Sequence, residues 1–146
     1  MDKEEIKRIL PHREPMLLID EVELVDGVSV CKYTITGDEF FLQGHFPGNP
    51  VVPGVILCEM MGQSACLLVE MDGGEHTPYL TGLNNVRFKQ KVLPGYTVIF
   101  RSELVKRKGM FYVVKSTGYV NDKHCVSGEL SFAVMPGTKN ECFQRS

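Results

Sequence analysis

An α+β fold, an antiparallel sheet curled around one long helix, is what this sequence predicts, and three observations predict it. Residues 55–71, VILCEMMGQSACLLVEM, carry apolar or small side chains almost all round, which is the pattern of a fully buried helix. After it come YLTGLNNVRFKQKV, TVIFRSELV, FYVVKSTGYV and HCVSGELSFAV, four β-rich segments divided by Gly, Pro and Asn/Asp turn chemistry. Strands of that length curl around something, and the apolar helix is the object available. At 146 residues and 43% hydrophobic content the chain has enough apolar surface for one domain, spanning residues 1–146, and is too short for two ordinary ones.

The remaining elements follow in order. Asp2, with Glu4 and Glu5 behind it and Ile6, Ile9 and Leu10 at helical spacing, caps a short helix that Pro11 stops. MLLID, residues 16–20, reads as a compact apolar strand, and VSVCKYTIT, residues 28–36, as a second, β-branched one ending at Gly37. From Gln43 to Gly54 the chain reads QGHFPGNPVVPG, with three Pro and three Gly in twelve residues. That composition excludes regular structure and predicts a rigid, sharply turned loop feeding the long helix. Asp72-Gly73-Gly74 stops the helix, and LPGY (93–96), KRKG (106–109) and VNDK (120–123) mark the turns of the second half. The residues from Pro136 onward read as a frayed tail.

Composition narrows the function. A net charge of −2 gives no general attraction to nucleic acid or to an anionic membrane surface. Five cysteines are an odd number without a C-x-x-C pair, which argues against a disulfide framework or a zinc site and for a reducing, cytoplasmic setting. The opening MDKEEIKRIL has no apolar core of a signal peptide, and no apolar run approaches the roughly 18 residues of a membrane span. Four dispersed histidines do not suggest a metal site. His12 and His124 read as structural, and His76 as exposed.

The chemistry concentrates in the loop and the helix. A helix apolar on every face should hold no carboxylate, because burying an unpaired charge is expensive. Glu59 breaks that pattern, and Gln63, one turn later, projects from the same face. Either Glu59 lies near a helix end and reaches solvent, or the two form a polar notch inside the core. His45 favours the second reading: histidine takes and returns protons near neutrality, and this one sits in a loop stiffened by Pro47, Pro50 and Pro53. The loop ends in Pro53-Gly54-Val55, where backbone N–H groups open the helix unpaired, at the positive end of its dipole. A carbonyl oxygen gaining negative charge fits there, and Gly54 has no Cβ to keep it away.

These residues carry a resemblance. Gly44-His45-Phe46-Pro47-Gly48-Asn49-Pro50, Pro53-Gly54-Val55 and Glu59-Met60-Met61-Gly62-Gln63 resemble the signature of the 3-hydroxyacyl-[acyl-carrier-protein] dehydratases of type II fatty acid synthesis. Leu10-Pro11-His12-Arg13, Leu17-Leu18-Ile19-Asp20, Val86-Arg87-Phe88-Lys89 and Pro94-Gly95 extend it in order over nearly the whole chain. The resemblance implies a hot-dog fold, and a homodimer whose sites lie at the subunit interface, with dimers gathering into hexamers. It also implies catalytic roles for His45 of one subunit and Glu59 of the other, carbonyl binding at Gly54, support of the glutamate by Gln63, and no metal or organic cofactor. The chain departs from many relatives in carrying Glu14 after the early His-Arg pair and Met60-Met61-Gly62 in place of a more alanine-rich run. A related dehydratase/isomerase type has aspartate where this chain has Glu59, so the resemblance favours the simple dehydratase.

In the implied reaction a 3-hydroxyacyl thioester on acyl carrier protein loses water to give the trans-2-enoyl product. His45 takes the α-proton, and Glu59 either protonates the departing hydroxyl, which needs a carboxyl pKa raised by burial, or only orients it. Phe46 is the expected acyl contact, chosen over Phe40, Phe41, Leu57, Met60 and Met61. Arg87, Lys89 and Lys91 alternate along an expected strand and place three charges on one face, either a solvated face or a dock for an acidic carrier protein. Two rivals are a hot-dog acyl thioesterase, against which the GHFPG loop and the Glu59 spacing count, and a non-catalytic acyl-binding subunit, against which the paired His45 and Glu59 count.

Overall fold

The structure, a computed structural model, describes residues 1–69 and 76–136. Its elements in chain order are α1 (Lys3–Ile6), β1 (Glu21–Val25), β2 (Val28–Thr34), α2 (Gly54–Ser64), β3 (His76–Phe88), β4 (Thr97–Lys108), β5 (Phe111–Val120) and β6 (Lys123–Pro136). The six strands form one sheet in the order β1-β2-β4-β5-β6-β3, antiparallel throughout. Two of its hairpins close on two-residue turns whose backbone is left-handed at both positions, Asp26-Gly27 and Asn121-Asp122. Those residue types tolerate that conformation, and its twist matches that of the strands.

Helix α2 packs across β2, β4 and β5, burying Leu57, Met60 and Met61 against a core that includes Val98, Phe100, Val114 and Leu130. Removing this apolar surface from water is the main favourable term in the fold. Each of the four predicted segments of the second half contains or matches an observed strand to within a few residues. β4 continues through Lys108, so its turn to β5 is made by Gly109-Met110 rather than by all of KRKG.

Two expectations about elements need correction. The helix spans eleven residues, Gly54–Ser64, not seventeen. Its end is set by hydroxyls: Ser64 Oγ donates to the Met61 carbonyl at 2.6 Å, and Ser29 Oγ donates to the Ser64 carbonyl at 2.6 Å. The next turn tightens, with Cys66 N–H on the Gln63 carbonyl and Leu68 N–H on the Ala65 carbonyl. The expected stop at Asp72-Gly73-Gly74 lies outside the described residues. Residues 16–20 are not a strand either; β1 begins at Glu21, and the buried Leu17, Leu18 and Ile19 run beside α2 as irregular chain. The Leu18 N–H goes to a side chain, Gln63 Oε1 at 2.8 Å, instead of a strand ladder.

At the N-terminus, Asp2 caps α1 as expected, accepting from Glu5 N–H while the Glu5 carboxylate accepts from Asp2 N–H. The α-helical stretch stops at Ile6, before Pro11.

The serines under the end of α2 form a buried cluster: Ser64 Oγ lies 2.7 Å from Ser102 Oγ, which donates to Ser116 Oγ at 2.9 Å. Replacing Ser64 by Ala removes the donor to Met61 and the partner of Ser102, so Ser64→Ala should lower folding stability by about 1–3 kcal/mol. A fall in the urea midpoint at unchanged denaturant slope is the expected record of that loss.

Candidate active site

The loop that presents His45 is fastened from both sides. At its entry the Glu39 carboxylate accepts from Tyr33 OH at 2.8 Å and from the N–H groups of Thr36 and Gly37 at 3.0 and 2.8 Å. Further along, His45 N–H donates to the Leu42 carbonyl at 3.2 Å, Val51 N–H to the His45 carbonyl at 2.9 Å, and Val52 N–H to the Val92 carbonyl at 2.9 Å. Gly44, at φ +83°, makes the left-handed turn that delivers His45. The three prolines add stiffness to this bonded frame.

The imidazole is oriented as firmly as its backbone. Nδ1 of His45 lies 3.0 Å from the Val51 carbonyl oxygen, and the ring stacks on Phe46 with centroids 4.3 Å apart. A carbonyl can only accept, so Nδ1 carries the hydrogen and the neutral ring keeps its lone pair on Nε2. That leaves a base with a defined direction. Phe46 is 53% exposed, so its free face is open to an apolar ligand.

Glu59 stands on α2 in another environment. Gln63, 1% exposed, accepts from Leu18 N–H through Oε1 and donates through Nε2 to the Met16 carbonyl at 2.7 Å and to Glu59 Oε2 at 3.2 Å. His12 approaches from the N-terminal segment, its Nε2 3.6 Å from the same carboxylate oxygen. Burial pushes the Glu59 carboxyl upward in pKa, but polar contact from His12 and Gln63, together with the His12 charge, outweighs it and holds the group below the usual carboxylate range. The raised pKa that an acid role requires is therefore not found in the isolated chain. His12, read from sequence as structural, belongs to the site.

The two halves do not meet within one chain. Glu59, His12, Gln63 and Cys58 line a cleft of about 490 Å³ with Leu10, Pro78, Leu80 and Phe132. Gly54, Val51 and Leu57 line a separate, more open groove of about 740 Å³ with Phe88, Lys89, Gln90 and Lys91. At Gly54, a Cβ would stand 2.9 Å from the Phe88 ring, so the bare backbone here is needed by a neighbouring side chain as well as by any ligand. The N–H groups of Gly54 and Val55 precede the first intrahelical bond, which Leu57 N–H makes to the Pro53 carbonyl at 3.2 Å. Val55 is 75% exposed.

Other expected residues fall as follows. Phe41, Leu57, Met60 and Met61 are buried in the core, while Phe40 is exposed and makes an edge contact with Phe41. Arg87, Lys89 and Lys91 do not alternate on one strand, because β3 ends at Phe88 and a register shift between Asn84 and Arg87, with Asn85 left-handed, breaks the pleat. All three are exposed, and Lys89 and Lys91 instead border the groove at Gly54. The cleft thiol Cys58 is raised in pKa by burial, as are Cys66, to about 12, and Cys125, to about 11. None of these is poised as a thiolate nucleophile. No helix among the described residues is long and apolar enough to cross a membrane.

Comparison with known proteins follows from this geometry. Residues 10–129 match the model of the FabA-like domain, and that span includes His12, His45, Gly54, Glu59 and Gln63. The chain belongs to the FabA-like family. Within it, the chain is 42% identical over 137 residues to the 3-hydroxyacyl-[acyl-carrier-protein] dehydratase FabZ of Clostridium perfringens, covering 92% of this chain and 99% of the relative. FabZ of Enterococcus faecalis is 42% identical over 134 residues, covering 89% of this chain and 95% of that one. The family assignment is thus to its FabZ-type dehydratases, which are hydro-lyases. Among solved structures, the dehydratase heterocomplex ApeI:P from Xenorhabdus doucetiae matches with a TM-score of 0.74 at 23% identity, over 96% of this chain and 95% of that one. A hypothetical thioesterase from Streptococcus pneumoniae, solved with coenzyme A, matches with a TM-score of 0.60 at 11% identity, over 80% of this chain and 86% of that one. These likenesses establish the hot-dog fold of the FabA-like chain.

Substitution at Gln63 should be the more damaging to folding. Gln63→Leu strands the Leu18 N–H and the Met16 carbonyl, and a loss of about 2–4 kcal/mol in chemical denaturation is expected. Glu59 should show itself through pH. Its folded pKa lies below the ordinary 4.5, so its stabilisation is complete above that value and is lost as pH falls through the folded one. The stability gap between the wild type and Glu59→Gln should accordingly shrink on acidification.

Proposed function

We propose that this chain removes water from a 3-hydroxyacyl thioester carried by acyl carrier protein, giving the trans-2-enoyl thioester as a step of fatty acid biosynthesis, with His45 and Glu59 contributed by different subunits of a homodimer. The observation that carries this reading is that the chain holds an oriented histidine base and an oriented carboxylate in separate cavities. Each is prepared, and neither has a reacting partner in its own cavity. A second copy supplies the missing half.

The edge of the sheet supports such a pairing. β3 joins the sheet through β6 alone, leaving thirteen residues of strand edge that expose Tyr79, Leu80, Leu83 and Phe88. A long apolar edge of this kind is a template for another chain. In this reading two copies pair along it as one catalytic domain each, and the dimers gather in threes into hexamers.

Chemistry follows from the two environments. Nε2 of His45 takes the α-proton, and the thioester oxygen, as it gains charge, meets the N–H groups of Gly54 and Val55 at the start of α2. Glu59, held as a carboxylate, accepts a hydrogen bond from the 3-hydroxyl and aims it. The carbon–oxygen bond then breaks, the protonated His45 returns its proton to the leaving hydroxyl as water, and the histidine is ready again. The depressed Glu59 carboxyl favours this version over one in which Glu59 is the acid. No metal or organic cofactor takes part.

Phe46 lies beside the base as an apolar contact for the acyl chain. Lys89 and Lys91 stand at the groove that reaches Gly54, with Arg87 nearby, and receive the acidic carrier protein and its phosphate-bearing arm. The absence of a C-x-x-C pair and the burial of the unbridged Cys31, Cys58, Cys66 and Cys125 fit a cytoplasmic setting.

Subunit mixing tests the shared site. His45→Ala and Glu59→Gln should each lose turnover of a 3-hydroxyacyl thioester by roughly 10²–10⁴-fold. Unfolded and refolded together at equal concentration, they should recover roughly a quarter of wild-type activity, because half of the dimers then carry one intact site of two. Absence of recovery from a properly refolded mixture would place both residues on one chain.

A further inference from the structure

The histidine that shares the cleft with Glu59 is left without a role by the reaction as described. His12 follows Pro11 in a segment anchored at both ends. On one side the Arg13 guanidinium donates to the carbonyls of Lys7, Leu10 and His12 at 3.1, 2.9 and 2.7 Å, holding the turn around it. On the other, Gln63 grips Met16 and Leu18. Between these two clamps the imidazole is directed at α2, and its Nε2 meets Glu59 Oε2. Nδ1 is buried and makes no hydrogen bond among the described residues. A histidine kept only for packing would ordinarily satisfy both nitrogens, because an unpaired buried polar atom costs about 1–3 kcal/mol.

We propose that His12 is a positioning residue for the dehydration: with Gln63 it grips one oxygen of Glu59 and leaves the other to face the substrate hydroxyl. The two contacts converge on Oε2, from Nε2 of His12 and Nε2 of Gln63, so the carboxylate is held from two elements of the fold. Oε1 carries the substrate contact. The groups that face Glu59 in the cleft are few. His12 comes from the N-terminal segment, Cys58 and Gln63 from α2, and β3 and β6 add only Pro78, Leu80 and Phe132, which carry no charge. Arg13 is the other cation of the segment and is engaged by backbone carbonyls. In the dimer the imidazole of His45 from the second copy completes the set. His12 is thus the charged neighbour that the chain itself provides, and it acts on ionisation as well as on aim.

The inference rests on the role proposed for Glu59, and the test separates the two. His12→Phe keeps a flat ring and removes both polar atoms; His12→Gln restores an amide donor. Carboxyl carbons of Glu59 are followed through a pH titration by NMR in protein labelled with ¹³C at glutamate, with Glu59→Gln identifying the signal, and turnover of a 3-hydroxybutyryl thioester is measured beside it. The titration midpoint should rise in His12→Phe and move back toward the wild type in His12→Gln. kcat should fall roughly tenfold or more in His12→Phe, with KM changed less than about twofold, since aim is lost and uniform binding is not. Adding His12→Phe to Glu59→Gln should cause no further loss of kcat, because a residue that acts through Glu59 has nothing left to position. An unmoved midpoint, or a further loss of kcat in the double variant, overturns the proposal for His12 and leaves Glu59 as it was. Full turnover in Glu59→Gln overturns the role of Glu59 itself, and that of His12 with it. Thermal unfolding of each variant reports folding, and His12→Gln carries the test if His12→Phe fails to fold.

Discussion

One side-chain amide holds the N-terminal segment, the central helix and the reactive carboxylate in register. Gln63 uses its oxygen on a backbone N–H that no strand accepts, and its nitrogen on a carbonyl and on Glu59. A carboxylate side chain in this place could accept from Leu18 but could not donate to Met16 or Glu59, and an aliphatic one could do neither. The residue is buried because its three partners are, and its partners can be buried because it satisfies them. Stability and catalysis therefore meet at one position.

The serines below the helix perform the complementary task. Ser29, Ser64, Ser102 and Ser116 come from β2, α2, β4 and β5, and all four are fully buried. Their hydroxyls take up carbonyls that would otherwise continue the helical ladder. The helix ends where the sheet supplies those hydroxyls, and Glu59 and Gln63 occupy its second half. Had α2 run on to residue 71, the chain beyond Ser64 would hold different backbone atoms against the same serines.

Much of this was legible in the residues. Alternation and turn chemistry located β4, β5 and β6 because those strands pair along most of their length and obey a period of two. The loop at His45 was legible because proline and glycine report backbone directly. What escaped was set by contacts distant in sequence. Residues 16–20 have strand composition, but the bond that decides their conformation comes from position 63. The end of α2 is written in serines of three other elements. His12 sits 47 positions from Glu59, and nothing in its immediate neighbours announces a carboxylate; the Leu10-Pro11-His12-Arg13 stretch was noticed as part of a family pattern without its physics. The basic residues after Asn84 lost their shared face to a bulge, which a count of alternating charges does not reveal. The separation of His45 from Glu59 was the reverse case, because fourteen intervening residues say nothing about which chain supplies the partner.

The sheet order also bears on the time course of folding. β3 obtains its hydrogen-bonding partner from β6, with Asn84 opposite Glu129 and Phe88 opposite Val126, so the strand precedes its only neighbour by some forty residues. During synthesis α2 and β3 leave the ribosome well before that neighbour exists, and β4 and β5 can already form a hairpin while β3 waits. An apolar strand with both edges unpaired is the form of this chain most exposed to misassembly. Closure of the longest-range pairing is also the entropically slow step. The same strand that offers an open edge in the folded chain is thus the last to be enclosed on the way there.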